Sequence, residues 1–316
     1  MSRATTEAPA ATPADAQAEA RRAKKPRLSE GARAERRLGW LLCAPAVIVM
    51  LAITAYPIGY AIYLSLERYD LRFPSQAKFT GLTNYVTVLK SPYWWHAFTV
   101  TLIISVVSVA IELVLGMAIA VLMHRTPFFR GPIRTAVLVP YGIVTVVAAF
   151  SWQFAWTPGI GYLAQLSGGA PLTHEVQAVA IIILAEVWKT TPFMALLLMA
   201  GLSLVPEDLQ KAAKVDGATS WQRFVRITLP LMKPAILVAL LFRTLDAFRI
   251  FDNIYILTVG AHNTGSVSIL GYDNLFTALN LGVGSAISIL IFICTALISF
   301  IFIKLFGTAA PGREAK

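Results

Sequence analysis

Charged residues recur at every third position within one long apolar stretch of the sequence, at Arg243, Asp246, Arg249 and Asp252. Residues three apart lie on one face of a helix, so opposite charges at this spacing can pair. Arg243 stands about ten residues into the stretch, roughly 15 Å along a helix and near the middle of a bilayer. A charge exposed to lipid there costs at least ~2.5–3.5 kcal/mol, so this face is predicted to point into the protein.

Two interpretations of this charged face stay open. The side chains form a ladder that holds the helix to a partner, or some of them line a hydrophilic cavity and bind a polar solute. Neighbouring apolar stretches contain Glu112, Glu186 and Lys189. We expect Glu112 to make a helix–helix contact, and Lys189 to pair with Asp246 or Glu186. The three carboxylates are also candidate proton or cation sites of an ion-coupled secondary transporter.

The sequence lacks the motifs of common catalytic and cofactor sites. No G-x-x-x-x-G-K-[ST] phosphate-binding loop is present, and the two cysteines do not have metal-ligand spacing. The four histidines are scattered, and position suggests no Ser/His/Asp set. We therefore predict a conduit rather than an enzyme, with no cofactor or metal bound by this chain.

Apolar stretches of membrane-spanning length must position these charges. The 316-residue chain is 57% hydrophobic and only 14% charged, whereas soluble domains are about 25% charged. Roughly 20 apolar residues cross a bilayer as a helix, which satisfies its own backbone hydrogen bonds. We predict an all-α membrane protein with six transmembrane helices, at 40–66, 98–123, 133–156, 178–204, 234–257 and 283–306.

Lys and Arg are unevenly distributed among the segments that connect these stretches. Twenty fall on the side that includes both termini and the polar segment 205–230, and four fall on the other side. This bias predicts a plasma-membrane protein with both termini cytoplasmic. The net charge of +10 then reflects topology and anionic lipid, and no nucleic-acid partner is predicted. The predicted organisation is a disordered basic tail at 1–37, a six-helix domain at 38–307 and a cytoplasmic tail at 308–316.

The polar segment carries the signals of two short helices. Glu207 and Asp208 suit a helix start, because their negative charge meets unpaired backbone N–H groups. Gly217 can adopt the left-handed conformation that ends a helix, and Thr219 or Ser220 can cap a second one. A folded cytoplasmic loop of this kind predicts a docking site, although an amphipathic interfacial helix without a partner would give a similar pattern.

The same segment resembles a known signature. Lys211-Ala212-Ala213, three residues, Gly217, nine residues and then Ile227-x-Leu229-Pro230 match the spacing of the EAA motif, E-A-A-x3-G-x9-I-x-L-P. The chain is thereby identified as a member of the ATP-binding-cassette (ABC) importer permeases. Val215-Asp216-Gly217-Ala218 resembles the carbohydrate branch, typified by maltose permeases, and the whole chain most resembles the permease half of actinobacterial trehalose importers.

The resemblance implies a type I ABC importer permease that forms half of a sugar pathway. Implied partners are a second permease subunit, two ATPase subunits that bind ATP and Mg²⁺, an extracytoplasmic sugar-binding protein or lipoprotein, the sugar and membrane lipids. The first short helix would dock on an ATPase subunit. The implied coupling residues are Glu207, Asp208, Leu209, Lys211, Ala212, Ala213, Asp216 and Gly217.

Residues of the sugar pathway also follow from the resemblance. Carried over by register, they are Thr190, Phe193, Arg243, Ala247 and Ile250, and we add Asp246 for its position in the charged face. The resemblance implies that Phe193 stacks on a sugar ring. The positions in the fifth stretch lack the amides and hydroxyl usual in maltose permeases, so Arg243 and Asp246 are expected to supply the polar groups.

One position departs from the signature, because Lys211 stands where the family has glutamate. That glutamate commonly meets a basic residue of the ATPase, so a lysine would reverse the pairing. A second permease subunit with the usual glutamate would give two unlike docking sites. The main alternative function, a secondary transporter, should show Gly/Pro-interrupted stretches in two halves, and no such pattern is evident in the sequence.

Overall fold

The computed structural model describes residues 30–125, 130–167 and 169–306. The predicted C-terminal tail and residues 1–29 of the predicted N-terminal tail lie outside the described residues. Residues 30–37, at the end of the predicted tail, belong to the first long helix. The chain divides into two compact units after Gly59, and the candidate site lies entirely within the second unit.

The described residues form helices joined by short connections. Two-residue strands, β1 (Glu67–Arg68) and β2 (Lys78–Phe79), pair antiparallel. Turns of 3₁₀-helix occur at Pro74–Gln76 and Pro171–Thr173, and π-helical segments at Phe224–Thr228 and Asp273–Thr277. The α-helices are α1 (Glu30–Ser65), α2 (Thr83–Lys90), α3 (Pro92–Arg125), α4 (Arg130–Gly142), α5 (Thr145–Trp156), α6 (Tyr162–Ser167), α7 (Glu175–Leu202), α8 (Glu207–Val215), α9 (Ser220–Arg223), α10 (Leu229–Leu231), α11 (Lys233–Phe248), α12 (Asp252–Leu257), α13 (Val267–Tyr272) and α14 (Leu281–Phe306).

Within the described residues, four helices are long and apolar enough to cross a membrane, namely α1, α3, α7 and α14. Two bent pairs raise the number of spans to six. One pair, α4 and α5, is bent by 90°, and the other, Ser220–Leu231 with Lys233–Leu257, is bent by 68°. The prediction of six apolar spans is therefore confirmed if each bent pair counts as one.

Interruption of the third and fifth spans corrects the expectation of continuous helices. The third span breaks between Gly142 and Thr145, and the fifth span loses its helical conformation between Phe248 and Asp252. The break in the fifth span contains neither Gly nor Pro, so no local signal in the sequence marks it. A search of the sequence for Gly/Pro-interrupted stretches therefore could not detect this break.

Close packing of α3 against α7 and α11 brings the intramembrane charges together. A Cβ atom at Gly116 on α3 would lie 2.8 Å from Met194 Cγ on α7, so glycine permits this close approach. Met194 belongs to a buried cluster that also includes Val109 of α3 and Ala239 of α11. The three helices therefore share one core, and their polar residues meet beside it.

Candidate functional site

A buried ion-pair network is centred on Arg243, whose side chain is only 1% exposed. Its Nε donates to Glu112 Oε2 at 2.6 Å, and its Nη2 donates to Glu112 Oε1 at 2.9 Å and to Glu186 Oε1 at 3.2 Å. The remaining nitrogen, Nη1, pairs with Asp246. One guanidinium on α11 thus holds carboxylates from α3, α7 and its own helix.

Neutral side chains complete the hydrogen bonding of the buried carboxylates. Thr190 Oγ1 lies 2.8 Å from Glu112 Oε1, and Asn253 Nδ2 donates to Glu186 Oε2 at 2.6 Å. Every carboxylate oxygen of Glu112 and Glu186 consequently has a protein partner, as buried charges require. Sequence reasoning missed Asn253, which follows the break in the fifth span and gave no helical-spacing signal.

The predicted charged ladder forms only in part. Arg243 pairs with Asp246, but Arg249 and Asp252 have no ion pair within 4.0 Å among the described residues. The reason is local, since α11 ends at Phe248 and Arg249 caps it. Asp252 then begins α12, so the spacing of three residues no longer places these side chains on one helix face.

A polar cavity of about 560 Å³ adjoins the network. This volume falls within the range of roughly 300–1,000 Å³ that is typical of small-molecule sites. Its walls come from the break between α4 and α5, from α7 and from the break between α11 and α12. The lining residues are Tyr141, Ile143, Val144, Thr145, Glu186, Lys189, Thr190, Asp246, Arg249, Ile250, Phe251, Asp252 and Asn253.

The structure separates the predicted pathway residues into two groups. Thr190, Asp246 and Ile250 line the cavity, and the side chain of Asp246 is 71% exposed. Arg243 lies behind this wall, where the network holds it. Ala247 has no exposed surface and belongs to the apolar core, so its predicted place on the pathway is not supported by this structure.

Phe193 lies one layer away from the cavity. Its ring stacks on that of Tyr141, with the centroids 5.4 Å apart and the planes inclined by 15°. Tyr141 lines the cavity, whereas Phe193 is not among the lining residues. Of these two stacked rings, Tyr141 is therefore the one that lines the cavity, and the sequence analysis did not select it.

Lys189 does not form the expected ion pair with Asp246 or Glu186. Its Nζ donates to the carbonyl oxygen of Ile143 at 2.7 Å and lies 5.9 Å from the centre of the Tyr141 ring. Ile143 directly follows the end of α4, where backbone carbonyls lose their helical partners. Lys189 thus stabilises the break in the third span, a break that was not predicted.

The predicted docking helix is present as α8, and its ends have the expected chemistry. Glu207 and Asp208 occupy its first turn. At its C-terminus, Gly217 has φ +82°, and Ala218 N donates to Ala213 O at 2.9 Å. This is the Schellman arrangement that ends a helix at a left-handed residue. Asp216 caps the helix and is exposed.

Most of the surface of α8 is free of contacts with its own subunit. Only Gln210 and Ala213 are half-buried, and the other seven residues are exposed. The exposed apolar residues include Leu209 at 47% and Val215 at 87%. Ala212 is also exposed, so of the apolar residues Leu209, Ala212 and Ala213 only Ala213 is half-buried against the protein.

Lys211 pairs with acidic residues of its own helix. Its Nζ lies 3.3 Å from Glu207 Oε2 and 3.9 Å from Asp208 Oδ1. All three side chains are at least 70% exposed, so these pairs contribute little to stability. They nevertheless make the start of α8 a mixed-charge surface instead of the purely acidic one that a glutamate would give.

The second short helix begins with a capping box. Gln222 N donates to Thr219 Oγ1 at 3.3 Å, and Thr219 N donates to Gln222 Oε1 at 2.8 Å. Thr219, one of the two predicted capping residues, is therefore the cap. Trp221 on α9 is 72% exposed, so it adds a large apolar side chain to the exposed surface of this loop.

These features define a class of protein. A predominantly helical membrane chain with interrupted spans around a polar cavity, and with a largely exposed helix on a connecting loop, has the architecture of a transport permease. The chain belongs to the family described as binding-protein-dependent transport system inner membrane component, whose sequence profile matches residues 112–309. The predicted ABC importer permease fold and family are confirmed. Such permeases are transport subunits and not catalysts.

Individual relatives place the chain near sugar transporters. It is 65% identical over 283 residues to the trehalose transport system permease protein SugA of Mycobacterium tuberculosis, covering 89% of this chain and 92% of SugA. It is 39% identical over 278 residues to the trehalose/maltose transport system permease protein MalF of Thermococcus litoralis, covering 85% and 94%. A bacterial alginate ABC transporter, solved in complex with an alginate pentasaccharide-bound periplasmic protein, has a TM-score of 0.74 at 22% identity, covering 88% and 97%. The last comparison supports the fold alone.

Proposed function

We propose that this chain is one permease subunit of an ATP-driven, binding-protein-dependent importer of trehalose or a closely related disaccharide. The observation that carries the proposal is the polar cavity between the two interrupted spans. Its carboxylates and amide can accept and donate hydrogen bonds to sugar hydroxyls, and Tyr141 offers a ring face. The 65% identity to a trehalose permease supports this choice of sugar.

The proposed assembly pairs this chain with a second permease, two ATPase subunits and an extracytoplasmic sugar-binding protein. The ATPase subunits bind ATP and Mg²⁺, and one of them receives α8 on the cytoplasmic side. Both termini are cytoplasmic in this arrangement, as the distribution of Lys and Arg indicates. The exposed side chains of Leu209, Val215 and Trp221 support a docking role, because they are apolar and lack a cover within the described residues.

The cavity and the docking helix are connected through α11. The loop that follows α8 leads into α11, which carries Arg243 about 15 Å from its first residue. Arg243 in turn contacts carboxylates of α3 and α7 beside the cavity. A displacement of α8 by closing ATPase subunits would therefore move one wall of the cavity against the others and expose it to the opposite side of the membrane.

Transport by the purified assembly in lipid vesicles tests this function. The complex is captured through a tag on this chain and supplied with its binding protein, ATP and radiolabelled trehalose. We expect ATP-dependent uptake, and stimulation of ATP hydrolysis by trehalose above maltose and sucrose. Uptake by this chain alone, driven by an ion gradient without ATP, would contradict the proposal and favour a secondary transporter.

A further inference from the structure

The attachment of α8 to its own subunit depends on very few side chains. Gln210 and Ala213 are its half-buried residues, and only Gln210 offers a polar contact. Gln210 Nε2 donates to Thr228 Oγ1 at 2.9 Å, and Thr228 is 7% exposed. The contact bridges 18 positions of sequence and joins the docking helix to the end of the π-helical segment Phe224–Thr228.

Arg223 adds a second, weaker link to the same residue. Its Nη1 lies 3.5 Å from the backbone oxygen of Gln210, and its Nη2 donates to Ser220 Oγ at 3.2 Å. A cavity of about 260 Å³ lies beside these groups and is lined by Gln210, Arg223, Ser220 and Thr228 among others. The cavity is polar and large enough for water, so little side-chain packing reinforces the hydrogen bond of Gln210 on this side.

The covalent connection alone would transmit a displacement of α8 poorly. The helix has nine residues, whereas isolated helices shorter than ~12–15 residues are marginally stable. Its exit runs through Gly217, a residue with more backbone freedom than any other type. A force applied to the exposed face of α8 could therefore be absorbed by rotation at this turn, unless a non-covalent contact fixed the helix to the residues that follow the turn.

We propose that the Gln210–Thr228 hydrogen bond is this non-covalent contact, and that it makes α8 and the start of α11 move as one body. Thr228 is well placed for the role, because its carbonyl accepts from Met232 N at 2.9 Å at the bend before α11. Gln210 and Thr228 are then positioning residues, which neither touch the sugar nor supply the exposed docking surface. The inference rests on the proposed docking of α8 to an ATPase subunit.

Isosteric substitutions at Thr228 test the contact. Thr228→Val keeps the shape but removes the hydroxyl, whereas Thr228→Ser keeps the hydroxyl and removes a methyl group. We expect Thr228→Val to lower the number of sugars transported per ATP roughly 2- to 10-fold, the range expected for one net hydrogen bond. Thr228→Ser should stay close to the wild-type ratio. Both variants should retain the wild-type amount of co-purified ATPase, because the docking surface is unchanged.

A double variant separates transmission from independent damage. Suppose that Gln210 and Thr228 act through one contact. The double variant Gln210→Ala with Thr228→Val should then lower the number of sugars transported per ATP no more than the more severe single variant does. Additive losses, or equal losses in Thr228→Val and Thr228→Ser, would overturn the positioning role. A loss of co-purified ATPase in proportion to transport would also overturn it, since it would indicate weakened docking. A wild-type complex without ATP-driven uptake would instead refute the proposed function, and the positioning role with it.

Discussion

Arg243 and Glu112, 131 positions apart in the sequence, form a buried ion pair with two hydrogen bonds, of 2.6 Å and 2.9 Å. Their side chains are 1% and 0% exposed. Such a pair gains little over an apolar pair of the same size, because both charges lose their hydration. It does fix the register of α11 against α3, because the guanidinium and carboxylate planes match in only one alignment.

Removal of Arg243 should destabilise the protein strongly. Arg243→Ala leaves Glu112 and Glu186 buried without a cation, and breaking a buried pair in this way costs about 3–5 kcal/mol. The midpoint of thermal unfolding in detergent should therefore fall markedly. Arg249→Ala is the matched control, because Arg249 is exposed and has no ion pair among the described residues. Equal shifts in both variants would contradict a stabilising role for the network.

Neutralising Asp246 should affect sugar binding more than stability. Its side chain is 71% exposed and lines the cavity, so its carboxylate is available to accept hydrogen bonds from sugar hydroxyls. We expect Asp246→Asn to raise the KM for sugar uptake roughly 10-fold, the loss of about one hydrogen bond to a charged group. Unfolding temperature and co-purified ATPase should change little.

Asp273→Asn provides the comparison for Asp246→Asn, since Asp273 is exposed but does not line the cavity. The KM of the Asp273→Asn variant for sugar uptake should match that of the wild type. An unchanged KM in Asp246→Asn, or the same increase in both variants, would show that Asp246 does not contact the sugar.

The turn at Gly217 should be specifically required for transport. Gly217 has φ +82°, and an alanine there costs about 1–2 kcal/mol in the left-handed conformation. Gly217→Ala should therefore lower transport per ATP, and Gly217→Pro should abolish transport while the protein remains in the membrane, because proline fixes φ near −65°. Uptake assays and membrane fractionation check both results.

Gly159 offers a matched control for the turn. Its φ is +85°, and, as at Gly217, no heavy atom lies within 4 Å of the position that a Cβ would take. Gly159→Ala introduces the same backbone strain in a different loop and should leave transport per ATP unchanged. Survival of transport in Gly217→Pro would show that the left-handed turn at Gly217 is not required for the proposed docking of α8.

Restoring the glutamate of the family signature should weaken this particular assembly. Lys211→Glu places a third negative charge beside Glu207 and Asp208, which now pair with the lysine. If the ATPase surface is adapted to Lys211, the amount of ATPase captured with this chain should fall several-fold. Lys214→Glu makes the same charge change on the same helix and should have a smaller effect. Equal losses would indicate a response to net charge and not to the position.

Local signals in the sequence were sufficient to predict the docking loop. The start of α8 at Glu207, its end before Gly217 and the Thr219 cap each depend on residues within five positions of one another. Span lengths follow in a similar way from continuous runs of roughly 20 apolar residues. Such features need no knowledge of distant parts of the chain, because helix geometry and capping are set by neighbouring residues.

The candidate site was only partly predictable for the opposite reason. Helical spacing predicted the contact between Arg243 and Asp246, but could not show that α11 ends before Arg249 or that Lys189 binds the Ile143 carbonyl. Ala247, chosen by register, lies in the apolar core, while Asn253 and Tyr141 reach the cavity without a sequence signal.

By itself, the sequence determined a six-span membrane protein with a capped helix in its polar loop and a charge that had to face inward. Only the tertiary structure decided which carboxylates neutralise Arg243 and which residues line the cavity. Those contacts join residues 57 and 131 positions apart, and they depend on how closely α3, α7 and α11 pack. Helix periodicity specifies which face a residue occupies, but the partner of that face follows from packing along the whole length of the helices.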